Sequence, residues 1–388
     1  MKNIPYARQW IKPEDIYSVK RALGAQYITQ GPLVAVFERL VAAYCNAKYA
    51  VAVNSGTSAL HIACLAAGLK EGDEGISSPI TFAASTNCLL YCKAKPVFAD
   101  ILDGTACINP EDIKKKLNRR TRVIIPVHFA GHPCDMQEIA CIAQKNNLFV
   151  IEDAAHALGA EYKGSKIGSS KYSDMTILSF HAVKHITTAE GGIALTNNKR
   201  LYERLKLFRN HGITKDPHFL GKDHGPWYYE MRELGFNYRL TDIQSALGIS
   251  QLKKLDFFLK IRKGIVNEYN KAFSQCEEIK PLEERNYVRS AHHLYVLRFD
   301  FKKIKASKID LFNEYRKKGI IVNLHYIPVY YHPYYKKLGF KKGVCPNAEK
   351  FYEEALTLPL FPKMKEREVI RVIGATKNII KKFNRSKI

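Results

Sequence analysis

Along the first half of the chain, short runs of β-branched and apolar residues alternate with stretches whose apolar positions recur every three or four residues. The first kind predicts strands and the second predicts helices. Strands are expected at Tyr49–Val53, Val97–Ala99, Arg122–His128, Leu148–Glu152, Met175–Phe180 and Gly192–Thr196. Helices are expected at Thr57–Leu69, from Pro110 to Leu117, and at Met136–Asn146. The stretch from Gly75 to Cys92 reads as a buried strand, a polar turn and a buried helix. Such alternation argues an α/β domain, with a largely parallel sheet covered by helices on both faces. Ligands of such sheets sit beyond the carboxyl ends of the strands, so chemistry is sought directly after each strand.

The second half has a different rhythm. A long helical pattern runs from Thr241 to about Asn270, with Thr241 or Asp242 as its N-cap. Beyond it, strands are expected at His293–Phe299 and Ile320–Leu324, and helices at Ser307–Lys318, Ala348–Leu356 and Glu366–Lys382. This is an α+β pattern. With the boundary at 245–255, the chain divides into a large unit, 1–250, that includes the N-terminal segment, and a smaller one, 251–388. A length of 388 residues suits two domains of about 100–200 residues each.

Composition narrows the class. With 46% hydrophobic and 25% charged residues, disordered and fibrous chains are excluded. The two uncharged stretches, Tyr49–Leu69 and Gly75–Cys92, are interrupted by Asn, Ser, Thr, His and Pro, so neither reads as a membrane span. The opening MKNIPYARQWIKPEDI has no signal-peptide core. The nine cysteines are scattered and odd in number, which argues reduced thiols and a soluble, cytoplasmic protein. None has partners at metal-ligand spacing, so no metal site is expected. The net charge of +24 raises nucleic acid, a membrane surface or anionic small substrates as partners. No nucleic-acid motif or basic-aromatic stripe supports the first. The basic run at 114–122 reads as a solvated face. The last helix gathers Val369, Val372, Ile373, Thr376, Ile380 and Phe383 on one side, as a docked amphipathic helix does.

Three segments carry candidate chemistry. In NSGTSALHIA a strand gives way to a helix through Ser55, Gly56, Thr57 and Ser58. Helix-terminal amides and hydroxyls make an anion cradle, and Gly56 admits close approach. No Gly-Lys-Ser/Thr follows, so it is not a nucleotide P-loop; an ordinary capped turn fits this segment equally. FVIEDAAHALGA ends a buried strand on Glu152-Asp153, where a carboxylate wants a cationic partner, although a helix cap also fits. SFHAVKHITTAEGG sets Ser179, His181 and Lys184 in a turn after a strand. A lysine beside a buried pocket can lose its proton and attack a carbonyl, whereas a surface lysine does neither. Together these are the parts of a pyridoxal phosphate (PLP) site. The cradle takes the phosphate, the Asp keeps the ring nitrogen protonated, and the Lys bonds the cofactor. Phe82, after the next strand, suits stacking on the ring.

With these residues in view, the chain resembles the DegT/DnrJ/EryC1/StrS family of sugar-nucleotide aminotransferases. The resemblance covers nearly the whole chain through NSGTSALHIA, SPITFAASTN, IEDAAHALGA, SFHAVKHITTAEGG, LFRNHGI, GFNYRLTDIQSALG and HYIPVYYHPYY. One such segment is weak; all of them in family order are specific. The resemblance implies the PLP-dependent transferase fold of type I, like aspartate aminotransferase. It implies a large α/β domain with a mixed, mainly parallel sheet and a smaller C-terminal α+β domain. It makes Lys184 the cofactor-bonding and catalytic lysine and Asp153 the partner of the ring nitrogen. Gly56, Thr57, Ser58 and Ser179 would hold the phosphate. Phe82 and His156 would flank the ring, and Asn237 would reach the phosphate of a neighbouring subunit in a homodimer with shared sites. Tyr6, the turn Gln26, Tyr27, Ile28 and Thr29, Ser55, His181, Asn237, and the segment Asn323, Leu324, His325 and Tyr326 match substrate-contacting positions.

Within the family, SFHAVKHITTAEGG and the stretch from Gly225 to Asp256 resemble the branch that makes pseudaminic acid. The implied reaction moves the amino group of L-glutamate to C4 of a UDP-4-keto-6-deoxy-N-acetylhexosamine. Other 4-keto or 3-keto nucleotide sugars, such as perosamine or bacillosamine precursors, are the alternative. Sugar dehydratases of the family replace the lysine by histidine, and Lys184 argues against that reading; a nucleic-acid-binding regulator is the remaining rival. Two departures stand out. Gly75 sits where a branched residue is usual at a strand start and is expected to loosen the strand. Leu102 replaces an Asp in FADILD.

Overall fold

The computed structural model describes residues 3–216, 218, 220–222 and 224–385. Its central sheet contains β1 (Tyr49–Val53), β2 (Glu74–Ser77), β3 (Lys95–Phe98), β4 (Thr121–Ile125), β5 (Phe149–Asp153), β6 (Met175–Ser179) and β7 (Gly192–Thr196). These lie side by side in the order β1-β7-β6-β5-β4-β2-β3. Strand β7 runs antiparallel to both neighbours, and the remaining pairs are parallel. The sheet is therefore mixed and mainly parallel. Helices cover it: α1 (Pro13–Leu23), α2 (Pro32–Cys45), α3 (Gly56–Ala66), α4 (Ala84–Tyr91), α5 (Pro110–Lys116), α6 (Met136–Asn146) and α7 (Lys199–Arg209). The pattern reading did not anticipate α1, α2 or α7. Burial on both faces explains why strands read as continuous apolar runs, such as Ala50–Val53, rather than alternating ones. The strand expected to run to His128 stops at Ile125, because Pro126 has no N–H for the ladder.

The long helix expected from Thr241 is two helices, α8 (Asp242–Leu252) and α9 (Leu255–Phe273). Thr241 is the N-cap and forms a capping box with Gln244. The break follows from a buried charge. Asp15 on α1 is fully buried and accepts from Ser250 Oγ at 2.6 Å, Gln251 Nε2 at 2.7 Å and the Lys12 N–H at 2.8 Å, and it pairs with Lys254. Lys254 leaves helical geometry, at φ −108° and ψ 0°, in the turn that brings its amine to that carboxylate. Burial pushes the Asp15 carboxyl up, but Lys254, Ser250 and the Lys12 amide outweigh it and hold it below its ordinary value.

Beyond α9 a three-stranded antiparallel sheet joins β8 (Ile279–Pro281), β9 (Tyr295–Phe299) and β10 (Ala355–Leu358), with β9 in the middle. Helices α10 (Lys308–Lys317), α11 (Pro346–Glu354) and α12 (Glu366–Arg385) complete this unit. Two expectations change here. The helix expected at Ala348–Leu356 ends at Glu354, and Ala355 onward becomes strand β10. Ile320–Leu324 makes only isolated bridges, Ile320 to Ile4 and Asn323 to Thr357. The first bridge carries a correction. The N-terminal segment, expected with the large unit, enters the smaller unit's core, where Ile4 is fully buried among Ile320, Tyr315 and Leu358. Helix α12 docks through Val369, Val372, Thr376 and Ile380, all buried. Among the described residues no helix is long and apolar enough to cross a membrane.

Gly75 does not loosen β2. It sits at a register shift against β4, and the space over it is filled: a Cβ there would lie 2.4 Å from Leu89 Cδ2 and 2.9 Å from Val123 Cγ1. Restoring the branched residue alone, as Gly75→Val, is therefore expected to overpack the core and lower stability by about 1–3 kcal/mol. Urea unfolding reads this directly, and a stabilised variant would contradict it.

Candidate active site

The carboxyl edge of the sheet meets the smaller unit in a cavity of about 560 Å³. Strand β5 delivers Asp153 to it. The Asp153 N–H donates to Pro126 O at 2.9 Å, and its carbonyl accepts from His128 N at 3.1 Å, which fixes the strand end. The carboxylate, only 6% exposed, accepts from Ser85 Oγ on Oδ2 at 2.5 Å and from the Ala155 N–H on Oδ1 at 3.1 Å. Strand β6 delivers Ser179. The chain then turns tightly: the Lys184 N–H donates to His181 O at 3.0 Å, and Phe180 is pinned to Gly191 at 2.9 Å and Thr188 at 3.0 Å. Lys184 is half-buried in this turn and lines the cavity. Burial pushes it down to about 8, with Asp153 partly opposing. At that value about a tenth of the amine is neutral at pH 7, against less than about a thousandth for an ordinary lysine, and the neutral form is what carbonyl chemistry needs.

Strand β1 leads into the cradle. Ser55 caps α3, its Oγ accepting from the Ser58 N–H at 3.1 Å. That leaves the first-turn amides of Gly56 and Thr57 at the positive end of the helix, on the cavity wall. Gly56 lies directly against Ser179: a Cβ there would stand 3.2 Å from the Ser179 Cβ and crowd the cradle. Ser58 lies outside the lining. Its buried hydroxyl donates to Asn54 Oδ1 at 2.6 Å, so it supports the turn from beneath.

The opposite wall comes from the N-terminal segment and from the stretch that follows Val322. Tyr6, Asn323, Leu324, His325 and Tyr326 line it, with the Tyr6 and His325 rings 5.5 Å apart. His156 crosses between the walls, its Nε2 3.2 Å from the Tyr326 hydroxyl, while its buried Nδ1 has no protein partner. Burial first, then Lys184 and neighbouring histidines, holds His156 well below the ordinary imidazole value, so it is neutral. Burial and Lys184 likewise take His325 down to about 3. Phe82 lines the mouth and is 64% exposed; His181 and Ser55 also line the cavity.

Other sequence-selected residues lie elsewhere. Gln26 and Tyr27 line a separate cavity among α1, α2 and α8. Ile28 accepts from the Asp242 N–H at 3.0 Å, and Thr29 bridges Thr241, so this turn packs on the start of α8. Asn237 is exposed, pairs through its backbone with Asn210, and does not touch the cavity of its own chain. The pattern reading missed Thr81, Ser85, Glu190 and His293, which also line the site. Ser85 stood inside a motif already singled out. His293 gave no local signal, since it comes from the other unit.

The residues fit PLP. The cradle offers amides and the Ser179 hydroxyl to a phosphate, Asp153 offers a carboxylate to a ring N–H, and Lys184 offers an amine that loses its proton more readily than an ordinary lysine. The unpartnered Nδ1 of His156 awaits a polar atom, as a buried imidazole must.

Comparison with known proteins agrees with this geometry. The DegT/DnrJ/EryC1/StrS aminotransferase family model matches residues 9–377. The uncharacterized protein MJ1066 of Methanocaldococcus jannaschii is 44% identical over 378 residues, 97% of each chain. The spore coat polysaccharide biosynthesis protein SpsC of Bacillus subtilis is 40% identical over 380 residues, again 97% of each. The UDP-4-amino-4,6-dideoxy-N-acetyl-β-L-altrosamine transaminase of Campylobacter jejuni is 38% identical over 386 residues, 98% of this chain and 99% of that protein. Among solved structures, Helicobacter pylori PseC, an aminotransferase involved in the biosynthesis of pseudoaminic acid, superposes with a TM-score of 0.90 at 32% identity, covering 98% of this chain and 100% of its own. The PLP form of the putative sugar aminotransferase Spr1654 from Streptococcus pneumoniae does so with 0.90 at 32%, covering 98% and 99%. A family match along almost the whole length, on a fold whose sheet edge gathers a lysine, a carboxylate and an anion cradle, makes this chain a member of the DegT/DnrJ/EryC1/StrS aminotransferase family.

Proposed function

We propose that this PLP-dependent aminotransferase of nucleotide sugars moves the amino group of L-glutamate to C4 of a UDP-4-keto-6-deoxy-N-acetylhexosamine. The product would be UDP-4-amino-4,6-dideoxy-N-acetyl-β-L-altrosamine, a precursor of pseudaminic acid. The observation that carries the chemistry is Lys184, whose amine desolvation pushes down to about 8 in the same cavity as Asp153. What supports the sugar is the likeness to the Campylobacter jejuni transaminase and to Helicobacter pylori PseC.

PLP, when bound, supplies an aldehyde that bonds amines and a ring that draws electrons from the carbon beside the bound nitrogen. Gly56, Thr57 and Ser179 would hold its phosphate, Asp153 its ring N–H, and His156 its ring oxygen, with Phe82 beside the ring. The Lys184 amine takes the proton from the donor's Cα and later delivers one to C4 of the sugar, acting as base and then acid. Tyr6, Asn323, His325 and Tyr326 would orient the sugar.

We place the enzyme in the cytoplasm as a homodimer with shared sites. All nine cysteines are free, as a reducing compartment keeps them. Among the described residues that line the cavity, Lys184 is the only lysine or arginine. A dicarboxylate and a diphosphate need more positive charge than that, which favours a contribution from a second chain. Trp227, Tyr229, Met231 and Leu234 are exposed just before Asn237 and form an apolar surface for such a partner.

The relative from Bacillus subtilis, named for spore coat polysaccharide, supports a second reading in which the acceptor is another 4-keto or 3-keto nucleotide sugar. The test is a panel of UDP- and dTDP-keto sugars with glutamate, with product mass and the position of the amine determined. An amine at C3, or preference for a dTDP sugar, overturns the altrosamine assignment.

Lys184 attacks carbonyl carbon only when neutral. With its amine at about 8, chiefly through burial, the neutral fraction rises about tenfold per pH unit below that value and levels off above it. PLP uptake by the apoenzyme, followed by absorbance, should show that rise and a plateau above about pH 9. A rate still climbing at about pH 10 would give Lys184 an ordinary lysine value.

A further inference from the structure

We infer that Thr81 and Ser85 form a directed hydroxyl relay that aims the Asp153 carboxylate into the cavity, which makes Ser85 a positioning residue for the cofactor-nitrogen contact. The inference rests on the reading of Asp153 as the anchor of the ring N–H. Ser85 lies in the first turn of α4 and is fully buried, and Thr81 is 4% exposed. Ser85 Oγ is 2.5 Å from Asp153 Oδ2 and 2.6 Å from Thr81 Oγ1, with Phe82 O at 3.2 Å.

The direction of the relay follows from proton counting. An ionised carboxylate only accepts, and a serine hydroxyl has one hydrogen. Ser85 therefore gives its hydrogen to Asp153, at a length in the range of charge-assisted O–H···O⁻ bonds. Thr81 in turn must donate to Ser85, so the order is Thr81 to Ser85 to Asp153. Each donor polarises the next, and the low dielectric of a buried site strengthens the chain.

The geometry has a functional consequence. Asp153 Oδ1 accepts from the Ala155 N–H and Oδ2 from Ser85, so both oxygens are held and the carboxylate cannot rotate freely. A carboxylate fixed in plane presents its remaining lone pairs to a ring N–H without reorganisation. The same short segment, Thr81 to Ser85, carries Phe82 at the cavity mouth. The turn of α4 is braced in turn by Tyr335, whose hydroxyl lies 2.7 Å from both Thr86 Oγ1 and Asn87 Oδ1.

The experiment compares the holoenzymes Ser85→Ala, Ser85→Thr, Thr81→Val, Asp153→Ala and the double variant Ser85→Ala/Asp153→Ala. It reads PLP affinity by titrating the apoenzymes, kcat and KM for glutamate, and melting temperature. Ser85→Ala should weaken PLP binding about tenfold and lower kcat about 10- to 30-fold, with KM for glutamate and melting temperature close to the parent. Thr81→Val should move the same quantities in the same direction by about threefold, and Ser85→Thr should restore them. Ser85→Ala should add nothing once Asp153 is alanine. Parent-like PLP affinity and kcat in Ser85→Ala, or an equal loss of both in the Asp153→Ala background, would overturn the relay while leaving the role of Asp153 intact. Parent-like PLP affinity and kcat in Asp153→Ala would instead remove the reading on which the relay stands.

Discussion

Replacing Lys184 by alanine should lower kcat by about 10⁴-fold or more, equivalent to about 5 kcal/mol of barrier, while the chain stays folded. The size follows from two roles lost with one amine. On the proposed roles, Lys184 would be both the nucleophile toward the cofactor's carbonyl and the base for the proton at the donor's α-carbon. Among the described residues no other amine lines the cavity to replace it. The fold should tolerate the change, because Lys184 is pinned through its backbone to His181 rather than through its side chain. The measurements are glutamate-dependent turnover, the visible absorbance of the reconstituted protein and thermal unfolding. A variant that keeps a covalent cofactor band and turnover within tenfold of the parent would end the assignment.

Asp153→Asn should lower kcat about 10³-fold. The amide preserves the shape, and its one oxygen can still accept from Ser85, while the bond from the Ala155 N–H is given up because an NH2 only donates; what matters for catalysis is the negative charge lost from the proposed ring-nitrogen contact. That charge matters most after the donor's Cα–H is lost, because it keeps the ring able to take up electrons. The loss should therefore fall on kcat, with KM for glutamate changing by less than about threefold. Single-turnover mixing with glutamate reads the step directly. An Asn variant as fast as the parent would mean that this carboxylate is structural.

Much of this architecture was legible from local pattern. The strands at Tyr49, Met175 and Gly192 and the helix at Met136 appear where the sequence puts them, because burial on both faces writes itself as mostly apolar strand runs and a one-sided helix as a three-to-four-residue period. Asp153 ends a strand, and Gly56, Thr57 and Lys184 come within a few residues after one, so the rule of ligands at strand carboxyl ends selected them, and the fold brings them to one cavity. Other features depended on residues far apart in the chain. The break at Lys254 is set by Asp15, a partner in α1 that no window around 254 contains. Ile320–Leu324 looked like a strand but has only bridge partners, Ile4 being one of them. Ser85 was hidden in a helix turn until β5 placed Asp153 2.5 Å away.

The sequence by itself determined the fold class, the cradle, the acid and the lysine, because each is written in a few consecutive residues whose hydrophobic period and turn chemistry are local. Tertiary structure alone decided the desolvation that pushes Lys184 down to about 8, the neutrality of His156 and the direction of the Thr81–Ser85–Asp153 relay. It also decided which turns reach the cavity and which, like Gln26–Thr29, pack elsewhere. The reason is physical: a charge state, a proton's direction and a cavity wall depend on which distant groups exclude water or lie within hydrogen-bond reach, and only the packed chain sets those distances.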